Sequence, residues 1–586
     1  MAMKNIYKSI ILLIVIFVVG LILFWPTFSL SVFGDNWLVF WAGKNTLGIS
    51  QMWGSWLTYF GPYSSSHLIL YMIQKFFGYS GVALYTISFL TRFMAVLGLF
   101  IFLKNRGLSL KIVLFSSLLL MVTPIGLETT DWAFQMVSYI SIFFLLYSLG
   151  TIFKLNSWKS VFVFLLLFFF SVAVNPIRAH GTLSMTMILL FVELVLNKEN
   201  RIYLAFSAVS IVVLFFFMSS KYTFGDPTNT FGMIMPGFNE VISQISKKDP
   251  TIIFNFLTSV GNSLIPDKFA NTFYNWNLDF KIFGKSRPLF GNFAIPILVF
   301  YILYIWKFYL FRKDYLIKNP YILFAVNIVL LFLVYKSSKF PFTSSSGIQI
   351  LVASTFILNM LVYSVLDFVH KHYDQVRIDV FCLSLSVLFL IFPWIYAPLS
   401  YLSSYHRYLI YPAIVLPILF AYFILSFLKL YKGKKYKLIT GYLCSAFFLI
   451  SFISLTNLYI KESLYLHGSD YANEVWNGID TQIGSTNFTN RKTLFYFIAD
   501  KPDRVHDSVT FGFGFHSGIR YGIWKQNDLP TVTDNFMDLK SMLTDGKASK
   551  IYIAQEYIYP KKDVFILKIE GEKVTRLKLS DIYLSK

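Results

Sequence analysis

Apolar runs of about 20 residues recur along most of this chain, separated by short polar turns. A bilayer core demands helices of that length, because each crossing segment must pair its own backbone amides and carbonyls. Thirteen runs qualify: 10–30, 82–103, 108–124, 136–153, 160–176, 182–197, 202–219, 290–311, 320–335, 347–367, 378–398, 409–428 and 438–457. Arg92 falls inside the second, and the third and fifth are short. With 56% hydrophobic and 14% charged residues, the chain carries more apolar surface than a soluble fold can hide. The expected fold class is mainly α: a polytopic membrane protein with about 13 transmembrane helices plus a small extracytoplasmic α/β C-terminal domain.

The net charge of +21 raises the question of nucleic acid. Its distribution answers against it. Residues 460–586 hold seventeen Lys and Arg against sixteen Asp and Glu, so the excess lies in turns between apolar runs. Lys4/Lys8, Lys104/Arg106/Lys111, Lys154/Lys159, Lys198/Arg201, Arg312/Lys313/Lys318, Lys371/Arg377 and Lys429–Lys437 all fall on one side. Positive charge collects on the cytoplasmic face. The N-terminus is therefore expected inside and the C-terminal domain outside, in the cytoplasmic (plasma) membrane. The first apolar run is too long for a signal peptide and lacks a small-residue cleavage site, so it reads as an uncleaved helix. Cys382 and Cys444 both lie in apolar runs, which excludes a disulfide framework or a cysteine metal site.

Residues 1–457 are expected to form the transmembrane domain and 458–586 the extracytoplasmic one. The outer face receives 31–81, 125–135, 177–181, 220–289, 336–346, 399–408 and 458–586. "SSSHLILYMIQKFFGYSG" carries an apolar stripe at helical spacing and reads as an interfacial helix. The glycines of the long 220–289 loop suit a segment that closes over a ligand. In the last region "DSVTFGFGF", "KIYIAQEYIY" and "VFILKIEG" read as strands, and "DNFMDLKSMLTDG" as a capped helix ending at Gly546.

Acids are scarce before that region, so those near a membrane face draw attention. Asp35 follows the first run in "SVFGDNWLVFWAG", and Glu128 and Asp131 share the turn "TPIGLETTDWAFQ". Three residues apart, these two would share a face if that turn is helical. Basic counterparts stand in "NPIRAHG", with Arg178 and His180, and in "SYHRYLIYP", with His406 and Arg407. Carboxylates and basic groups at a membrane surface suit a lipid-linked phosphosugar. Arg or His neutralises the phosphate, and a carboxylate deprotonates an attacking hydroxyl. A divalent metal, Mg, Mn or Zn, shared by Asp35 with Glu128 and Asp131 is a further expectation. The alternative is that these groups are interfacial charges and helix caps. There is no P-loop and no GxGxxG after a strand, which disfavours an ATP-driven pump or a cytosolic nucleotide-sugar enzyme.

This arrangement resembles the GT-C superfamily of membrane glycosyltransferases, which use polyprenyl-phosphate sugars and include protein O-mannosyltransferases, lipid A aminoarabinose transferases and oligosaccharyltransferases. Asp35 matches the acidic catalytic residue in the family's first outer loop. "LTRFMAVLGLFIFLKNRGLS" resembles its second span, with Arg92 in place as a structural or substrate-cavity residue. "TPIGLETTDWAFQMVSYISIFFLLYSLG" resembles its acidic second outer loop, and "HRYLIYP" the Arg-Tyr-Leu-x-x-Pro that opens a late span. Two features depart: Asn36 stands where many members have Glu, and the Trp-Trp-Asp of the oligosaccharyltransferases is missing, which disfavours asparagine glycosylation. The resemblance implies a polyprenyl-phosphate sugar donor, a glycan, lipid or protein acceptor, membrane lipids as surroundings and no nucleic acid. It makes Asp35 the general base, with Arg407, helped by Arg178 or His180, on the donor phosphate. Readings of other classes are a lipid-linked glycan flippase or transporter, which calls for charges deep in the membrane and pseudo-symmetric halves, and an O-antigen polymerase or ligase.

Overall fold

A computed structural model of the chain describes residues 2–45, 63–223, 404–418, 435–484, 491–524, 528–547 and 557–583, with shorter stretches at 239, 242–243, 246–247, 258–269, 420–421 and 486–488. In chain order the main elements are α1 (Ala2–Phe24), α2 (Asp35–Lys44), α3 (Ser64–Phe77), α4 (Gly81–Asn105), α5 (Leu110–Val122) and α6 (Glu128–Asp131). Next come α7 (Val137–Ile152), α8 (Trp158–Val174), α9 (Ala179–Leu196), α10 (Arg201–Thr223), α11 (Ile410–Ala413), α12 (Lys435–His467) and α13 (Ser469–Ile483). The chain continues through β1 (Leu494–Ala499), α14 (Phe513–Tyr521), β2 (Thr531–Thr533), α15 (Phe536–Thr544), β3 (Val564–Glu570) and β4 (Lys573–Leu577).

Among the described residues the protein is mostly helical, with one small sheet. Helices lie over nine of the predicted spans: α1, α4, α5, α7, α8, α9, α10, α12, and α11 over the first part of 409–428. Four described helices are long and apolar enough to cross a bilayer by themselves, at Tyr7–Ser29, Gly81–Asn105, Ala133–Ile152 and Ser445–His467; five others are apolar but shorter. The predicted spans at 290–311, 320–335, 347–367 and 378–398 lie outside the described residues, as does most of the 220–289 loop. Exposed apolar side chains line single helix faces. On α10 they include Ile202, Phe206, Val209, Val213 and Phe216; on α12 they include Ile439, Leu443, Phe447 and Ile450. Such stripes at three- and four-residue spacing need an apolar solvent, which lipid supplies.

The chain divides into two compact units. Unit 1 comprises Met1–Gly20, Thr91–Thr129 and Val137–Asn457; unit 2 comprises Leu21–Leu90, Thr130–Met136 and Leu458–Lys586. In unit 1, α7 and α8 are stitched by Ser141 and Ser171, whose hydroxyls each donate to the other's carbonyl oxygen at 2.6 and 3.0 Å. Arg106 reaches Glu193 at 3.8 Å, so the acid in α9 has a cation beside it.

In unit 2 the strands run in the order β2-β1-β3-β4, with β1 parallel to β2 and β3, and β4 antiparallel to β3. One face of α13 carries Tyr471, Val475, Ile479 and Ile483 into a core with Phe495, Phe513 and Phe565. The "VFILKIEG" strand is β3. The capped helix is α15: the Asn535 side-chain oxygen accepts from the Met537 amide at 2.8 Å, and Gly546 follows with φ +74°. The strand expected at "DSVTFGFGF" is a correction. His506–Thr510 is a π-turn and α14 begins at Phe513. Phe511, Phe513 and Phe515 alternate like a strand, yet each has an aromatic or apolar neighbour around a helix, so tertiary contact overrides the period-two pattern. Most of "KIYIAQEYIY" lies outside the described residues, and 557–560 is irregular.

Candidate functional site

Each unit contains one cluster of the side chains singled out from the sequence. In unit 1 the turn 126–128 runs against 404–405: the Gly126 amide donates to the Ser404 carbonyl at 2.7 Å, and the Glu128 amide to the Tyr405 carbonyl at 2.8 Å. Gly126 has φ +73°, and a Cβ there would lie 2.6 Å from Ile410 Cα, so both its conformation and the close approach require glycine. This pairing sets the Glu128 carboxylate over the start of the short helical run at Arg407. Oε1 accepts from the Arg407 guanidinium at 2.6 Å, and Oε2 from the Arg407 backbone amide at 2.9 Å. One carboxylate thus holds both the side chain and the main chain of one residue. A guanidinium at a helix start is disfavoured by the helix dipole, and the acid offsets that.

Tyr408 lies at the centre of this cluster. The Arg178 and Arg407 guanidinium carbons stand 4.8 and 5.2 Å from its ring centroid, and the His406 ring 4.5 Å away. Arg178 and His406 are buried. Burial, then Arg407 and Arg178, push the His406 imidazole down to about 2, so it is neutral and its 3.6 Å approach to Glu128 is not an ion pair. Its Nδ1 accepts from the Tyr408 amide at 3.3 Å, which leaves the proton on Nε2. Two guanidinium groups therefore stand around Tyr408, and one of them, Arg407, pairs with Glu128 beside a neutral imidazole. His180 lies on the first turn of α9; its side chain is outside the described residues. Arg92 is buried at 1% exposure. It donates to the Met121, Leu120 and Thr123 carbonyls and to the Tyr139 hydroxyl, at 3.1, 3.3, 2.7 and 2.9 Å. These carbonyls are the open C-terminal end of α5, which a cation satisfies well.

In unit 2, Asp35 is the first residue of α2 and is half-buried. A carboxylate there is favoured by the helix N-terminus. Gly34, with φ +56°, makes the turn, and a Cβ on it would stand 3.0 Å from the Phe511 ring and 3.6 Å from Trp132. Asp131 is buried and accepts from the Ser463 hydroxyl at 2.6 Å, while its neighbour Trp132 lies 6.0 Å from Phe33 between ring centroids. Glu128 and Asp131 are both on α6, but their carboxylates have different partners: Arg407 for one, Ser463 for the other. No group of three or more His, Cys, Asp or Glu able to hold a metal is present among the described residues, so the expected Mg, Mn or Zn set does not fit them.

Three participants escaped the sequence reading. Tyr408 stands inside the "HRYLIYP" motif, where its aromatic ring beside two cations was the available signal. His467 and His516, which stack on the Asp35 segment, had none, because their partners lie over 430 residues away.

No protein-family model matches the chain, and no curated protein matches it. One solved structure similar to it is the archaeal oligosaccharyltransferase AglB from Archaeoglobus fulgidus in complex with an inhibitory peptide and a dolichol-phosphate. It shares 12% identity over 96% of this chain and 69% of that chain, at a TM-score of 0.48. A likeness of that degree carries no argument about fold or activity.

Proposed function

We propose that this protein is a membrane glycosyltransferase that moves a sugar from a polyprenyl-phosphate donor to a glycan, lipid or protein acceptor on the outer face of the cytoplasmic membrane. One observation carries the reading: two guanidinium groups, those of Arg178 and Arg407, gather around Tyr408 in a largely buried setting. Two neighbouring guanidinium groups suit a phosphate monoanion or dianion, because each offers paired donors to its oxygens. In the reaction, Asp35 takes the proton of the acceptor hydroxyl. The hydroxyl oxygen bonds to the sugar's anomeric carbon, the bond from that carbon to the phosphate oxygen breaks, and the electron pair leaves with the polyprenyl phosphate. Arg407 and Arg178 balance the charge that develops there. The acid Glu128 keeps Arg407 aimed and takes no part in proton transfer.

The transporter reading called for charges deep in the membrane. Arg92 spends its donors on the end of α5, and Glu193 has Arg106 beside it, which favours a structural use of both. The test is lipid retention by the purified protein in nanodiscs, read by native mass spectrometry with polyprenyl phosphate and with the corresponding polyprenol. Wild type should retain the phosphate lipid preferentially, and Arg178→Ala and Arg407→Ala should lose that preference. Equal retention of both lipids by all three proteins overturns the reading.

A further inference from the structure

In unit 2 the segment from Leu30 to Trp37 is gripped at two points by the C-terminal part of the chain. At the first, the Ser31 amide and hydroxyl both donate to the His467 carbonyl, at 2.8 and 2.9 Å. The His467 imidazole lies flat on Phe33, with ring centroids 3.9 Å apart and 8° between planes. At the second, the His516 imidazole lies flat on Trp37 at 3.8 Å and 7°, and meets Trp476 edge-on at 3.9 Å. The two stacks bracket Gly34 and Asp35 in sequence. Both imidazoles are buried, and neither Nδ1 has a hydrogen-bond partner among the described residues. A buried polar atom without a partner is costly, so the flat ring rather than a hydrogen bond from Nδ1 is what the position uses.

We infer that His467 and His516 are positioning residues: the C-terminal region holds the Asp35 turn in its working geometry by stacking one imidazole on each side of it. The inference rests on the reading of Asp35 as the base. Misplacement of a reacting group by about 1 Å costs roughly 10²-fold in rate. Gly34 takes its positive φ without strain but also leaves the turn many other conformations, which the two stacks restrict. The domain at residues 458–586 then serves the reaction without supplying a group that touches substrate.

The experiment uses full-length protein in nanodiscs, with His467→Ala, His516→Ala, His467→Phe and His516→Phe. Phe keeps a flat ring and Ala removes it. Amide hydrogen exchange across 30–40 reports the clamp without reference to sugar transfer. Exchange there should rise severalfold in the Ala variants and stay at the wild-type level in the Phe variants. Sugar transfer from a polyprenyl-phosphate hexose should show kcat falling about 10- to 100-fold in the Ala variants at unchanged donor KM, with recovery in the Phe variants. Unchanged exchange in the Ala variants overturns the clamp. Raised exchange with unchanged kcat overturns its role in positioning. A Phe variant as slow as its Ala counterpart also overturns it, since the imidazole would then act chemically. Should an Ala variant fail to fold, Phe33→Leu removes the first stack from the other side and is read the same way. Asp35→Asn is the control for the underlying reading: full transfer by that variant defeats the base assignment and leaves the exchange result to judge the clamp alone.

Discussion

The Arg407 turn of unit 1 and the Asp35 turn of unit 2 each place one charged side chain at the start of a helical run, yet different forces hold them. Arg407 is fixed by charge: Glu128 takes its guanidinium and its amide together. The segment around Asp35 is packed by flat rings, with His467 on Phe33 and His516 on Trp37. The difference follows from the helix dipole. A carboxylate at a helix N-terminus is favoured and needs no counter-ion, whereas a guanidinium there is disfavoured and requires one.

The comparison breaks most visibly at Asp35. Asp35→Asn should cut turnover by roughly 10²-fold or more, the scale of general-base removal, while circular dichroism and insertion stay as in wild type. Near-wild-type transfer would remove Asp35 from the chemistry and leave it a favourable helix-start charge. Next in size is the ionic turn. Glu128→Gln gives up a charge-assisted contact worth about 1.5–3 kcal/mol, so retention of polyprenyl phosphate should weaken by roughly 10-fold or more. Arg407→Lys should not restore it, because an ammonium cannot reproduce the guanidinium fork. Full retention by Arg407→Lys would show that a point charge suffices.

A smaller effect is a pH dependence inside unit 2. Burial, with Arg520 nearby, pushes His516 down to about 3 from 6.5. The unfolded chain therefore takes up a proton below about 6.5 that the folded protein refuses until about 3. The His516 contribution is whole above that window and is lost as pH falls through it. His506, raised by its hydrogen bond to Asp534, works in the opposite sense: its contribution is present at low pH and is lost as pH rises past its folded value. Half-exposed on the surface, that pair is screened and weak. The melting temperature of wild type should drop between pH 7 and pH 4, and His516→Phe should flatten that drop. An identical slope in the variant would show that His516 is not buried as a neutral ring. The smallest effect is expected at the β3–β4 turn, where Glu572 is exposed. A cysteine in place of Glu572 should leave transfer unchanged and label with membrane-impermeant reagents in intact cells or spheroplasts. Labelling only after lysis would overturn the outward direction of α12.

The membrane character of this chain was legible in the sequence, because a bilayer imposes one length and one polarity on whatever crosses it. Helices α1, α4, α7 and α12 follow from that constraint, and so does the apolar stripe of α10. Local chemistry also exposed the Asn535 cap of α15 and the apolar run of β3. The candidate site was legible only as a set of residue types at membrane-facing turns. Asp35, Glu128, Arg178 and Arg407 stand out because charge is scarce around them, but scarcity does not say which charge meets which. Tertiary structure decided that Glu128 serves Arg407 while its α6 neighbour Asp131 turns to Ser463. It decided that Arg92 closes the end of α5, that "DSVTFGFGF" coils rather than extends, and that two distant histidines lie on the Asp35 segment. Spacing along a chain encodes the period of a helix or strand and the demands of its solvent. The pairing of groups hundreds of residues apart depends on packing that only the folded chain creates.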